Sequence, residues 1–460
     1  MARTIFTNFQ LLFNWLYVST PTFPVKGDQV SILTKPDEFY DSLVNRCSQA
    51  TSRIVLASLY LGTGDKEQRL VDTIAARASE RESHLRIKIL LDNFRGSRGE
   101  LNSRQMLLSV LEQKAHVQVA LYRTPKVGNF LSKILPPRYN ELIGLQHMKI
   151  YVVDDDVMIS GANLSHDYFT NRQDRCILIK DNKQIADFFE GVVSILCDAS
   201  LQLDKHDQLS VLGSKTEPQD YVMNVQDLKY KLISYYSSFI HSPKQNQTSE
   251  YDTWIFPTIE IPPCDIHIDS TAVGEVLANI PNNSHVHLAS GYFNLNDKYV
   301  SAILKSNAKY DVLVAHPTAN GFYQSNGLSG YIPDMYTCLT ERFLQKVELN
   351  YLTDRINIHE YKRPEWTFHG KGIWVTPPNE NTPQLTVIGS SNYGARSQDR
   401  DLESQIILLT ENENLRHQLH REHQKMYQYS ETFDRKTLVE EKRSPRSWIA
   451  FLVLLLKSYF

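Results

Sequence analysis

Several things are scarce in this chain, and each scarcity excludes something. Its 460 residues hold five cysteines, Cys47, Cys176, Cys197, Cys264 and Cys338, scattered and never spaced as a CxxC pair. An odd, dispersed set builds neither a disulfide framework nor a structural zinc site, and suits buried thiols in a reducing compartment. No apolar run reaches the roughly 18 residues that a spanning helix needs. Net charge is also small, -3, so no strong global field draws in nucleic acid, and none is expected as a partner. What is present is the composition of a well-packed protein, 42% hydrophobic and 22% charged. The length exceeds one ordinary core, so two domains or a duplicated one are expected.

Duplication is visible. Arg53–Tyr60 reads as a buried strand, and His285–Tyr292 repeats its pattern, with Ser58 and Ser290 in equivalent places. Helix-like segments follow at Lys66–Arg81 and Asp297–Ser306, then second strands at Leu85–Asp92 and Tyr310–Ala315. Strand–helix–strand order in both halves implies parallel pairing and an α/β architecture. Residues 200–250 turn polar, and Glu411–Arg443 reads as a charged helical segment. The expected organisation is an N-terminal targeting or membrane-proximal segment over 1–30 and a first lobe over 31–210. A connector over 211–255, a second lobe over 256–430 and a tail over 431–460 complete it. The tail carries the apolar run Trp448–Leu456 between Arg446 and Lys457, which suits a helix lying in a membrane interface. Lys126–Arg138 mixes apolar and basic residues and is a second candidate for docking on an anionic bilayer.

The repeat extends to chemistry. His147-Met148-Lys149 leads through a strand pattern to Asn163, and His369-Gly370-Lys371 leads likewise to Ser391 and Asn392, with a longer hairpin around Pro377–Pro383. Strand residues two apart share a face, so each His projects with its Lys. Two imidazoles supply a nucleophile and a general acid. Two lysines supply fixed charge for phosphoryl oxygens, and the asparagine amides can donate to the same oxygens. A nucleophilic imidazole needs its other nitrogen held by an acceptor, and Asp174 and Glu403 follow the two motifs as candidates. Lysine is not a usual metal ligand and no carboxylate cluster accompanies these histidines, so no metal or other cofactor is expected.

At these residues the chain resembles the phospholipase D superfamily, whose motif is H-x-K-x4-D followed by G-(G/S)-x-N. The first copy matches through His147, Lys149 and Asp154; the second has Thr376 where the family's Asp would stand. Asn320–Tyr323, Gly327–Pro333 and Trp366–Gly372 narrow the likeness to the branch that uses CDP-diacylglycerol as phosphatidyl donor. That resemblance implies a duplicated fold of two α/β/α lobes with mixed sheets, sharing one active site. It implies His147, Lys149, Asp154, His369 and Lys371 as catalytic, with Asn163, Asn392, Ser391, Asp174 and Glu403 lining the substrate. It also implies a peripheral enzyme of the mitochondrial inner membrane, working through a phosphatidyl-histidine on His147 with His369 as acid and then base. Glycerol-3-phosphate is the expected acceptor, serine the near alternative. A phosphodiesterase of the same fold and a non-catalytic lipid-binding scaffold, suggested by Thr376, are the other readings.

Overall fold

Short β-branched runs, buried on both faces, build the two sheets that carry the motifs. The computed structural model describes residues 8–80, 84–113, 116–125, 144–240, 250–441, 443 and 447–456. In the first half the strands are β1 (Phe23–Val25), β2 (Val30–Leu33), β3 (Arg53–Ala57), β4 (Arg86–Asp92), β5 (His116–Tyr122), β6 (Ile150–Val153), β7 (Asp156–Ser160), β8 (Arg172–Gln173), β9 (Cys176–Ile179), β10 (Leu201–Leu203) and β11 (Leu209–Val211). The second half supplies β12 (Thr253–Ile261), β13 (Ile266–His267), β14 (His285–Ser290), β15 (Lys309–Ala315), β16 (Ile356–Tyr361), β17 (Thr367–Phe368), β18 (Lys371–Thr376), β19 (Leu385–Gly389), β20 (Glu403–Thr410) and β21 (Ser430–Thr432).

One sheet runs β11-β10-β5-β4-β3-β6-β7-β9-β2 and the other β1-β12-β20-β19-β18-β14-β15-β16-β21, with β13 on β12. The central orders β5-β4-β3-β6-β7-β9 and β16-β15-β14-β18-β19-β20 are the same design twice. β3 and β14 pair in parallel with β4 and β15 across the crossover helices Asp65–Ala78 and Asp297–Lys305. β6, β7 and β9, like β18, β19 and β20, pair antiparallel, so both sheets are mixed, as the resemblance implies.

The lobes are not separate bodies. One apolar cluster contains Met148, Ile150 and Ile177 of the first sheet together with Trp374, Ile388 and Ile406 of the second. A two-residue parallel ladder pairs β8 with β17, which sets the residues just before Asp174 and just before His369 side by side. The N-terminal helices Asn8–Leu12 and Leu16–Ser19 put Phe9, Phe13, Leu16 and Tyr17 into the second lobe's core, and β1 pairs with β12.

The structure corrects one element. Glu411–Arg443 is not a single charged helix: a helix over Glu413–Tyr427 gives way to β21 on the edge of β16, then to a helix over Arg435–Glu440. Phe433 and Leu438, both buried, pull this stretch back onto the core. All five cysteines are buried and unpaired. Lys126–Arg138 lies outside the described residues, as does most of the polar stretch 241–250.

Candidate active site

Each motif histidine is clamped by the backbone of the other lobe. The His147 amide donates to the Leu402 carbonyl at 2.9 Å, and the His369 amide donates to the Gln173 carbonyl at 2.8 Å. Both residues therefore sit just ahead of their strands, β6 and β18, held by cross-lobe bonds rather than inside a ladder.

The side chains exchange partners in the same way. His147 Nδ1 lies 2.9 Å from Glu403 Oε2, and Glu403 Oε1 also accepts from Ser397 Oγ at 2.9 Å. His369 Nδ1 lies 2.6 Å from Asp174 Oδ2, while the Arg175 amide donates to Asp174 Oδ1 at 2.8 Å. Lys149 Nζ donates to the His147 carbonyl at 2.6 Å and Lys371 Nζ to the His369 carbonyl at 2.7 Å. Lys371 Nζ stands 4.0 Å from the Asp174 carboxylate. Both lysines and Glu403 are fully buried, and the two histidines nearly so. Two glycines make room for this group. A Cβ on Gly161 would meet Asp174 Oδ1 at 2.3 Å, and one on Gly291 would come 2.8 Å from the His369 Cα.

Burial decides the charge states. It pushes both imidazoles well below their ordinary range, His147 further by the charge of Lys149 and His369 by that of Lys371. Burial also lowers Lys149, and Lys371 falls to about 8. The carboxyls move the other way, Asp174 to about 6 and Glu403 to about 7, because desolvation outweighs the neighbouring lysines. A neutral imidazole whose Nδ1–H is held by a carboxylate keeps its Nε2 lone pair for attack on phosphorus.

The remaining predicted residues divide. Asn163 Nδ2 donates to the Tyr168 hydroxyl at 3.1 Å. The buried Oδ1 atoms of Asn163 and Asn392 have no partner among the described residues. Ser391 is turned inward, its Oγ accepting from the Tyr393 amide at 3.2 Å. Asp154 is not brought to this group. It occupies the β6–β7 turn at φ 50° and accepts from the amides of Thr51, Ser52 and Arg53. Seven residues of near-extended chain put it roughly 20 Å from His147, so its role is to fix the entry into β3.

Sequence reasoning missed the aromatic walls. The His369 ring meets Tyr168 and Tyr292 edge-on, centroids 5.2 and 5.3 Å away. Arg172 lies over Tyr168 at 4.7 Å and packs, with Tyr292, against Gly321 of the loop leading to helix Ile332–Leu349. Arg172 had a signal, its place beside Asp174; the tyrosines, far apart in sequence, had none. Arg396 holds Asp401 at 2.8 Å, and Asp401 accepts from the Leu145 amide at 2.9 Å. His147, Asp401 and Glu403 offer donor atoms within 4.8 Å of one another. Asp401 and Glu403 already accept these bonds, however, and a cation there would face Lys149, Lys371 and Arg396. The set fits a hydrogen-bond network better than a metal centre.

Comparison with known proteins bears on the family and the fold. Residues 43–193 match a family model described as cardiolipin synthase, PLD-like domain. A chicken protein named CDP-diacylglycerol--glycerol-3-phosphate 3-phosphatidyltransferase, mitochondrial, is 38% identical, covering 97% of this chain and 86% of its own. The human protein of that name is 36% identical over the same shares, and a Dictyostelium discoideum protein named as a probable one is 38% identical over 99% and 82%. Among solved structures, the phosphatidylserine synthase of Haemophilus influenzae Rd KW20 superposes with a TM-score of 0.72 at 17% identity, covering 99% of this chain and all of that one. That likeness concerns the fold.

Proposed function

The chain belongs to the CDP-diacylglycerol–glycerol-3-phosphate 3-phosphatidyltransferases, within the phospholipase D superfamily, and from that premise we propose how its residues act. It is a transferase of phospholipid synthesis, moving the phosphatidyl group of CDP-diacylglycerol to glycerol-3-phosphate and releasing CMP. The observation that carries the mechanism is the reciprocal pairing of His147 with Glu403 and His369 with Asp174.

In the first step His147 Nε2 attacks the phosphorus next to diacylglycerol. A P–N bond forms, the bond to the CMP oxygen breaks, and His369 gives that oxygen a proton. In the second step His369 takes a proton from the glycerol hydroxyl, whose oxygen attacks phosphorus and displaces His147. One proton thus passes from acceptor to CMP through His369, and the enzyme is restored.

Without substrate, burial, reinforced by the charges of Lys371, Arg172 and Lys149, keeps His369 neutral. An anionic pyrophosphate among these cations offsets their charge and raises His369 toward the protonated form that step one needs. The lysines, with the amides of Asn163 and Asn392, hold the charge of the pentacoordinate phosphorus.

The enzyme works in the mitochondrion, peripherally on the inner membrane. None of the described helices is long and apolar enough to cross a bilayer. The tail helix Ser447–Leu456 packs Ile449 and Val453 on Met335, Cys338 and Leu339, and turns Trp448, Phe451, Leu454 and Leu455 outward. Such a face suits the headgroup boundary of a lipid leaflet. The acceptor is tested by supplying CDP-diacylglycerol vesicles with glycerol-3-phosphate, serine or water and identifying the lipid. Phosphatidylglycerophosphate only with glycerol-3-phosphate is expected; phosphatidylserine or phosphatidic acid as main product overturns the assignment.

A further inference from the structure

Away from the transfer site, the second sheet carries a concentration of imidazoles that phosphatidyl transfer does not use. His285 and His287 alternate onto one face of β14, Asp311 pairs with His287 in register on β15, and His359 stands on β16 beyond. The helix Glu413–Tyr427 covers this face with His420, His423 and Tyr427. Asp311 Oδ2 lies 2.5 Å from His285 Nε2 and 3.9 Å from His287 Nε2, and Asp311 Oδ1 lies 3.0 Å from His359 Nε2. The donor atoms of His285, His287 and Asp311 all fall within 4.8 Å of one another.

Asp311 Oδ1 also accepts from Asn357 Nδ2 at 3.1 Å, and two ring nitrogens beside the cluster lack partners among the described residues. His423, 3% exposed, stacks on His287 at 4.0 Å between centroids, and its Nε2 has no partner among the described residues. His287 Nδ1 has none either. Neither atom belongs to the set facing Asp311, whose His287 atom is Nε2, so these two mark a polar pocket beside it that ordered water would satisfy.

We propose that His285, His287 and Asp311 form a site for a divalent transition-metal ion of the Zn2+ class. Two imidazoles and one carboxylate favour zinc or its late-transition neighbours over magnesium or calcium, which take oxygen ligands. Tetrahedral zinc separates its ligand atoms by about 3.3 Å. His285 must therefore draw back roughly 1 Å from Asp311, which its 44% exposed side chain has room to do. His359 then holds the second carboxylate oxygen and orients it. The ion would tie β14 to β15. It lies apart from the transfer site, since Ser290, the partner of Lys371, is three residues, about 10 Å, further along β14.

The test is calorimetric titration of Zn2+ into full-length, chelator-stripped protein. One site with a dissociation constant in the micromolar range or tighter is expected. H285Q, at a half-exposed position, and H287Q should each weaken it at least tenfold, while H147Q leaves it unchanged. Absence of binding below millimolar Zn2+ overturns the proposal, as does undiminished binding in H285Q and H287Q. So does loss of binding in H147Q alone, which would place the ion in the transfer site.

Discussion

Glu403 of the second lobe holds Nδ1 of His147 in the first, 2.9 Å apart and 256 residues away along the chain. Asp174 returns the arrangement to His369 at 2.6 Å. Neither half orients its own imidazole, so the duplicated lobes form one catalyst and not two weak ones. The pairing also separates the two histidines' roles experimentally, because each carboxylate can be altered without touching the other pair.

Replacing either carboxylate by its amide should disrupt the tautomer of one histidine. E403Q is expected to slow CMP release on the order of 10²–10⁴-fold. D174N should slow both CMP release and transfer to glycerol-3-phosphate, since His369 is acid in one step and base in the other, with binding of CDP-diacylglycerol retained in both variants. Rapid-quench kinetics of CMP and lipid product separate the steps; turnover within tenfold of wild type in either variant is the adverse result.

Much of this was legible in the chain. The two His-x-Lys copies, the strand–helix–strand repeats and the acidic residue types at Asp174 and Glu403 all follow from local pattern. Which carboxylate serves which histidine does not, since that depends on how β8 meets β17 and how Leu402 meets His147. The motif spacing groups Asp154 with His147, yet a side chain seven residues along a nearly straight chain cannot reach the same phosphate. His359 and His423 read singly as packed or solvated; only the sheet register brings His359 to Asp311, and only the covering helix brings His423 to His287. The charged stretch after residue 411 suggests one helix because Phe433 and Leu438 are too few to signal the return to the core.

Asp154 thus makes a discriminating variant. D154A removes a carboxylate that accepts three amides at the start of β3. A loss of about 1–3 kcal/mol in stability is expected, with transfer activity within tenfold of wild type. Denaturant unfolding and turnover measured together check it, and a collapse of activity without loss of stability would return Asp154 to the chemistry.

Arg175 and Glu422 clasp the lobes beneath the site. Their side chains are essentially inaccessible and 2.8 Å apart, and the guanidinium stacks over Trp374 at 3.8 Å. E422Q leaves a buried guanidinium without its counter-charge and should cost about 3–5 kcal/mol. Chemical denaturation reads this directly; a change below 1 kcal/mol would mean that water or another carboxylate reaches Arg175.

The buried Glu403 gives stability a pH signature. Its carboxyl rises from 4.5 to about 7 on folding, so the folded state binds the extra proton. Its contribution is complete below the unfolded value and fades as pH climbs through the folded one. The melting temperature of E403Q, compared with wild type, should therefore improve between pH 4.5 and 7. A constant difference across that window would contradict the assignment.

The tail helix is testable without touching the chemistry. W448S/F451S/L454S should abolish pelleting with anionic liposomes while leaving the melting temperature unchanged. Undiminished pelleting would move the membrane contact elsewhere on the molecule.

The central claim is a phosphatidyl group carried on His147. Mixing the wild-type protein with labelled CDP-diacylglycerol in the absence of glycerol-3-phosphate, quenching in alkali within one turnover and mapping the label by mass spectrometry tests it most directly. The account predicts a covalent phosphatidyl adduct on the peptide containing His147, with up to one equivalent of CMP released. CMP release without any adduct, or label on a residue other than His147, would contradict it.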